Sequence, residues 1–227
     1  MEHEMEPEKT TAELAAVIDH TLLKMVATEK SVIEHCAEAK KYGFASVVVN
    51  PCHVATCVRE LAETGIKVCA MVGYPLGATT SETKAFEARQ AVALGAAEID
   101  MVINIGLAKA GNWAAVEREI AAVVAASAPA LVKSIIETCY LTADEKGKAC
   151  LAAQAAGVKY IQTSTGFGTG GATTEDVALM RSAVDPSVKI KASGGIRTRA
   201  DAMAMLRAGA ERIGASAGVA IVAGNED

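Results

Sequence analysis

Five times along the chain an Ala- or Leu-rich helical stretch ends on a glycine and gives way, within two or three residues, to a β-branched run. The glycines are Gly43, Gly65, Gly95, Gly157 and Gly209. Glycine tolerates the left-handed backbone that closes many helices, so each reads as a helix C-terminus feeding a strand. The strands expected after them cover 45–50, 67–72, 98–103, 160–164 and 212–215. Two further β-rich runs, 131–137 and 189–193, follow Pro129 and Pro186, and a short strand is expected near 14–19 after a brief N-terminal helix.

Helix starts are marked too. Thr79 with Glu82, and Thr142 with Glu145, have capping-box spacing. Thr28, Asn112, Thr174 and Thr198 suit N-cap positions. The helices then span 28–42, 52–64, 80–94, 112–127, 143–156, 174–184 and 198–208, with a last short one over 216–223. Eight strands alternating with helices imply a parallel sheet with crossover helices. In a chain of 227 residues this predicts an α/β fold, a single-domain (β/α)8 TIM barrel with a short extra N-terminal helix. An open doubly wound sheet is the structural alternative.

Composition agrees. Hydrophobic residues make up 51% of the chain but aromatics only 4%, so the core is Ala, Val, Ile and Leu, as suits parallel strands under Ala-rich helices. Residues 1–10 read as an acidic N-terminal tail and 11–227 as the barrel domain. A net charge of −5 argues against nucleic-acid binding, and no apolar run approaches the roughly 18 residues of a membrane span. Six cysteines are scattered without a CxxC pair, which predicts reduced thiols and a cytoplasmic location.

Barrel enzymes build their sites at strand C-termini and in the loops that follow. One such loop is Thr163-Ser164-Thr165-Gly166-Phe167-Gly168, entered from Gln162. The loops after the last two strands carry Ser193-Gly194-Gly195 and Gly214-Ala215-Ser216, small residues that admit an anion close to the backbone. Ser216 is expected to begin the last helix. Asp100, Lys133 and Lys191 lie inside apolar strands, where a charge must be paired, so Asp100 is expected to meet a cation or a hydrogen-bond network. Two lysines converging on one site are expected to lower each other's pKa, the usual way to make an amine nucleophilic. Asp19-His20-Thr21 follows the first strand. His20 reads equally as catalytic or as satisfied by backbone. His53 and Cys57 read as helix packing, Lys159 as a surface charge and Trp113 as packing. The GxGxxG spacing over 166–171 fits a dinucleotide site poorly, because the next strand ends without an acidic residue for a ribose.

With these residues in place the chain resembles the deoxyribose-phosphate aldolase family. The resemblance rests on Ile18-Asp19-His20-Thr21-Leu22-Leu23-Lys24, Ser46-Val47-Val48-Val49-Asn50-Pro51 and Glu98-Ile99-Asp100-Met101-Val102-Ile103-Asn104. It continues through Lys133-Ser134-Ile135-Ile136-Glu137-Thr138, Thr163-Ser164-Thr165-Gly166-Phe167, Lys191-Ala192-Ser193-Gly194-Gly195-Ile196-Arg197 and Arg212-Ile213-Gly214-Ala215-Ser216. These segments run in family order from about residue 14 to 222.

The resemblance implies a class I aldolase, without metal or organic cofactor, that interconverts 2-deoxy-D-ribose 5-phosphate with acetaldehyde and D-glyceraldehyde 3-phosphate. It assigns proton transfer to Asp100 and electrostatic support of the nucleophile to Lys191. The phosphate is assigned to Gly166, Gly194, Gly195, Gly214 and Ser216, and the substrate channel to Thr21 and Thr165; Asp19 and Lys133 are supporting residues. By the same analogy the chain forms a homodimer or higher homo-oligomer. Val48 stands where the family often carries cysteine.

One departure matters. The family's Schiff-base lysine, in Lys-Thr-Ser-Thr-Gly, corresponds to Gln162. A carboxamide nitrogen is delocalised and does not form an imine. Three readings follow: an otherwise ordinary aldolase with its nucleophile substituted and its activity lost or strongly impaired, an aldolase that uses Lys191 (less well Lys133) instead, and a non-catalytic phosphosugar-binding barrel.

Overall fold

Strand β1 (Ile18–Leu22) hydrogen-bonds to β2 (Ser46–Val49) on one side and β8 (Arg212–Ala215) on the other, which closes the sheet. Between them run β3 (Lys67–Val72), β4 (Glu98–Val102), β5 (Leu131–Ile135), β6 (Tyr160–Gln162) and β7 (Lys189–Ser193), each parallel to its neighbours in sequence order. The expected (β/α)8 barrel forms, and the doubly wound alternative, which would leave two free edges, does not. The computed structural model describes residues 9–224, so 1–8 of the expected tail and 225–227 lie outside the described residues.

The helices are α1 (Thr11–Ala15), α2 (Glu29–Tyr42), α3 (Val54–Glu60), α4 (Ser81–Ala93), α5 (Ile105–Lys109), α6 (Trp113–Ser127), α7 (Ala143–Ala155), α8 (Thr174–Ala183), α9 (Arg199–Arg207) and α10 (Gly218–Ala223). The glycines that marked the repeat all adopt positive φ: 71° at Gly43, 77° at Gly65, 101° at Gly95, 86° at Gly157 and 110° at Gly209. Thr28, Asn112, Thr142 and Thr198 cap their helices as expected, Thr142 with a complete capping box to Glu145. Two caps shift by one residue, to Thr80 and Thr173, because adjacent threonines offer the same hydroxyl and the helix register chooses between them.

The first strand moves furthest from its expected place at 14–19. Thr10 and Glu13 form a capping box, and Leu14 and Ala15 become the buried face of α1 instead. β1 therefore begins at Ile18 and carries Asp19 and Thr21 on one face. Strands β5 and β6 end two residues early, although Ile136 N–H still donates to the Gln162 carbonyl and Thr163 N–H to that of Lys191. Helix α5 was not anticipated; five residues are too few for a helical period to show.

Most of the apolar core lies between the outer strand faces and the helices, with Ile99, Ile161, Ile190 and Ile213 fully buried there. A smaller apolar group, Val48, Cys69, Met71, Val102 and Ile135, is separate from it. By strand alternation these residues face the barrel interior, the same face as the charged residues described next. Among the described residues no helix is long and apolar enough to cross a membrane.

Candidate active site

Strand alternation turns Asp19, Glu98, Asp100, Lys133, Lys191 and Arg212 into the barrel, where they form one cluster of three carboxylates and three cations. Lys133 Nζ lies 2.8 Å from Asp100 Oδ1, 2.5 Å from Glu98 Oε2 and 3.4 Å from Asp19 Oδ2. Lys191 Nζ lies 2.5 Å from Asp19 Oδ2 and 2.6 Å from Asp100 Oδ2. Arg212 donates to Asp19 Oδ1 at 2.7 Å, and Ser46 Oγ donates to the same oxygen at 2.6 Å. Asp100 thus finds the cations its place in an apolar strand required.

The lysines do not behave as expected. Burial alone would lower Lys191 and Lys133, but the carboxylates of Asp100 and Asp19 outweigh it and hold both above the ordinary lysine value. The like charge that was expected to activate an amine is neutralised by carboxylates on neighbouring strands. Glu98 and Arg212, not singled out as site residues beforehand, complete the balance. For Glu98 the signal was its period-two spacing from Asp100 within an otherwise apolar strand. Burial disfavours the charged forms of Asp19 and Asp100, yet the lysines prevail and both carboxyls lie below their usual range.

Above this cluster opens a cavity of about 460 Å³. Of the anticipated residues, Thr21, Gln162, Thr165, Gly166, Lys191, Gly194, Gly195, Gly214 and Ser216 line it. Asp19, Asp100 and Lys133 do not; they lie fully buried beside or beneath Lys191, so Asp100 reaches the cavity wall only through its bond to that lysine. Gln162 is the strand partner of Lys191 and is only 2% exposed. Its Nε2 donates to Ser193 Oγ at 2.9 Å, while Ser193 Oγ donates to the Ser164 carbonyl at 2.6 Å.

The rim offers positive potential. Among the described residues, the backbone N–H groups of Gly166, Gly194, Gly195 and Ser216 donate to no protein acceptor. Gly166, Gly194 and Gly195 have φ of 85°, 87° and 80°, which leaves their backbone open to close approach. Exposed Lys24 and Arg197 line the same cavity. Gly214 has a different constraint: a Cβ there would lie 2.9 Å from Lys191 Cε, so the glycine makes room for the lysine. Ser216 falls just before α10, whose N-cap is Ala217, so it does not begin the helix.

Glu137 fastens the loop after β6. Its backbone is left-handed, with φ of 53°, and its buried carboxylate accepts both the N–H (3.2 and 3.3 Å) and the hydroxyl of Thr165. Tyr74, from the loop after β3, donates its hydroxyl to the Thr165 carbonyl at 2.7 Å and meets Phe167 edge-on.

The remaining candidates separate as follows. His20 is buried and paired with Glu38 at 2.8 Å, not with backbone, and its ring stacks on His35 with centroids 3.7 Å apart. Burial lowers both histidines to about 4, so they are neutral at pH 7. His20, His35 and Glu38 place ligand-type atoms near one another. The two rings are only 14° from parallel, however, so their in-plane lone pairs run side by side and do not converge on one ion. Cys57 is buried in the core, Trp113 packs against it, and Lys159 is exposed, as expected.

Comparison with known proteins gives one answer. The family model of the DeoC/LacD family aldolases matches residues 14–224. The chain is 58% identical over 212 residues to a deoxyribose-phosphate aldolase of Geobacillus sp. (strain WCH70), covering 93% of this chain and 95% of that one. It is 55% identical over 212 residues to one of Thermoanaerobacter sp. (strain X514), covering 92% and 95%. Among solved structures it superposes on the deoxyribose phosphate aldolase of Aeropyrum pernix, described as a tetramer, with a TM-score of 0.87 at 33% identity. That match covers 94% of this chain and 91% of the other.

Proposed function

Because the chain belongs to the DeoC/LacD family of aldolases, we propose that its cavity is a deoxyribose-phosphate aldolase site in which Gln162 stands where the amine nucleophile would be. The substrate is 2-deoxy-D-ribose 5-phosphate, and the family reaction breaks its C2–C3 bond to give acetaldehyde and D-glyceraldehyde 3-phosphate. The phosphate sits against Gly166, Gly194, Gly195 and Ser216, where free N–H groups and the charges of Lys24 and Arg197 converge. Gly214 belongs to this wall by leaving space for Lys191. Thr21 and Thr165 line the path of the carbon chain.

Cleavage of this kind needs an electron sink at C1. A neutral amine adds to the aldehyde, loses water and leaves a protonated imine that accepts the C2–C3 electron pair. Gln162 has no available lone pair for that addition. Lys191 does not replace it, because Asp19 and Asp100 hold its ammonium in two short ion pairs. Lys133 is surrounded in the same way. The chain as it stands therefore binds the phosphosugar and turns it over poorly or not at all. Asp100 and Lys191 keep the roles of proton transfer and electrostatic support that a restored amine would need.

The observation that carries this reading is the charge balance under Gln162. Three carboxylates already match three cations, so a lysine at position 162 would be a fourth cation in a buried, neutral site. Desolvation and the nearby Lys191 charge would favour its neutral, nucleophilic form. The Gln162→Lys variant is expected to cleave the substrate. It is also expected to carry a borohydride-stable acetaldehyde adduct at position 162, located by peptide mass mapping. A variant that folds but gives neither cleavage nor adduct refutes the assignment. The reading takes residues 11–227 as one aldolase domain, cytoplasmic and without metal or organic cofactor; the tetrameric relative supports a homo-oligomer.

A further inference from the structure

Successive backbone N–H groups in the loop after β6 have different fates. That of Thr165 donates to the Glu137 carboxylate at 3.2 and 3.3 Å, and that of Phe167 to Thr165 Oγ1 at 3.0 Å. Between them the Gly166 N–H donates to no protein acceptor among the described residues, although Gly166 is exposed and lines the cavity. The other half of its peptide group is held instead. The Thr165 carbonyl accepts from the Tyr74 hydroxyl at 2.7 Å, across 91 positions of sequence.

A peptide group is planar, and in its trans form the C=O and N–H point in opposite directions. The Thr165–Gly166 bond is trans. Fixing the carbonyl on Tyr74 therefore fixes the aim of the Gly166 N–H, on the side away from that tyrosine. Glycine does not supply this constraint itself. Gly166 has φ of 85°, and without a Cβ either sign of φ is open to it, so an unheld peptide is free to turn over. Gly166 also lies against Gly194: a Cβ on Gly194 would be 3.5 Å from Gly166 Cα, so two open backbones of the phosphate wall adjoin. Tyr74 is well anchored. The preceding Gly73 N–H donates to Glu87 Oε2 of α4 at 2.7 Å, the Gly77 N–H returns to the Gly73 carbonyl at 2.8 Å, and the Tyr74 ring packs against the interior apolar group around Met71. Burial and the nearby Glu137 carboxylate push its hydroxyl above the usual tyrosine value, so it keeps the proton it donates.

We propose that Tyr74 is a positioning residue for the substrate phosphate: its hydroxyl holds the Thr165–Gly166 peptide so that the Gly166 N–H is presented to the anion. The inference rests on the phosphosugar reading above and adds to it a residue from the loop after β3. Tyr74 acts through the peptide and not by contact with the phosphate. Its hydrogen bond to the carbonyl also polarises the peptide, which strengthens the N–H as a donor.

Titration of the unsubstituted chain and of Tyr74→Phe with 2-deoxy-D-ribose 5-phosphate, followed by calorimetry and by amide NMR, tests this. Phenylalanine keeps the ring and its edge-on contact with Phe167 and deletes only the hydroxyl. On the unsubstituted chain the Gly166 amide proton is expected to move downfield as the sugar binds, the mark of a new hydrogen bond to phosphate. In Tyr74→Phe the affinity is expected to fall about fivefold, the equivalent of one hydrogen bond. The Gly166 shift at saturation should shrink there while those of Gly194 and Gly195 persist, a contrast that general loosening of the fold would not produce. Equal affinity of the two chains overturns the inference and leaves the phosphosugar reading standing. So does an undiminished Gly166 shift in the variant, or the lack of any Gly166 shift when the unsubstituted chain binds the sugar. Binding to neither chain overturns the phosphosugar reading itself, and this inference with it.

Discussion

Asp100→Asn removes one charge from the barrel interior and almost no volume. Asp100 Oδ1 accepts from Lys133 at 2.8 Å and Oδ2 from Lys191 at 2.6 Å. Asparagine has one acceptor oxygen, so it can serve one ammonium and must turn its NH2 donor toward the other. The cluster then holds three cations against two carboxylates, and Lys133, Lys191 and Asp19 are all essentially unexposed. Breaking a buried ion pair from one side costs about 3–5 kcal/mol. At roughly 2–4 °C per kcal/mol for a domain of this size, Tm should fall by roughly 6–20 °C at neutral pH.

The loss should also depend on pH, with a definite sign. In the parent, Lys133 and Lys191 are raised, so their contribution is complete below the ordinary lysine value and is lost as pH rises through the raised folded values. Asp19 and Asp100 are depressed, so theirs is complete above the ordinary carboxylate value and is lost as pH falls through the depressed ones. The cluster therefore contributes fully between about pH 4 and pH 10. In Asp100→Asn the lysines lose a carboxylate, burial gains on the remaining pairs, and their pKa values drop. Deprotonating one of them restores neutrality, so the deficit should shrink between pH 7 and about pH 10. Denaturant unfolding at both values checks this. A deficit below about 1 kcal/mol, or one that stays constant or grows with pH, refutes the charge-balance argument.

Three other substitutions follow from local contacts. Lys84, on α4, pairs with Glu119 of α6 at 2.6 Å, and both are buried, so Lys84→Met should cost about 3–5 kcal/mol in denaturant unfolding. Adding Glu119→Gln, which keeps an acceptor for the Asn104 N–H, should recover a large part of that loss. Glu137→Gly keeps the left-handed backbone but frees the N–H of Thr165 and the hydroxyl that receives the Phe167 N–H, so amide hydrogen exchange at residues 165 and 167 should accelerate at least tenfold. Phosphosugar affinity should fall with it, and unchanged exchange would show that the carboxylate does not hold the loop.

How much of this was legible beforehand varies with how local each signal is. Helix ends and strand identities were readable because glycine caps, threonine caps and β-branched runs act over a few residues; Gly43, Thr142 and β3 lie where the chain alone puts them. Errors came where local chemistry was degenerate. Leu14 and Ala15 suit a strand or a short helix equally, and the capping box at Thr10 decided between them. Nine of the twelve anticipated site residues line one cavity because all lie at strand C-termini, which any closed barrel brings together. The carboxamide at position 162 was also visible in the sequence, because the motif Gln162-Thr163-Ser164-Thr165-Gly166 around it is contiguous.

The protonation states were not visible. Whether Lys191 is an activated amine or a paired ammonium depends on Asp19, whose Oδ2 comes within 2.5 Å across the β1–β8–β7 side of the barrel. Glu98 and Arg212 joined the balance only once the sheet closed and turned them to the same interior. The direction of the Gln162 amide likewise depends on Ser193, 31 positions later. Sequence alone determined the barrel, the ring of loops and the carboxamide at position 162, since these follow from local backbone preference and contiguous motifs. Tertiary structure decided charge state and hydrogen-bond polarity, because both are sums over partners from strands far apart in the chain.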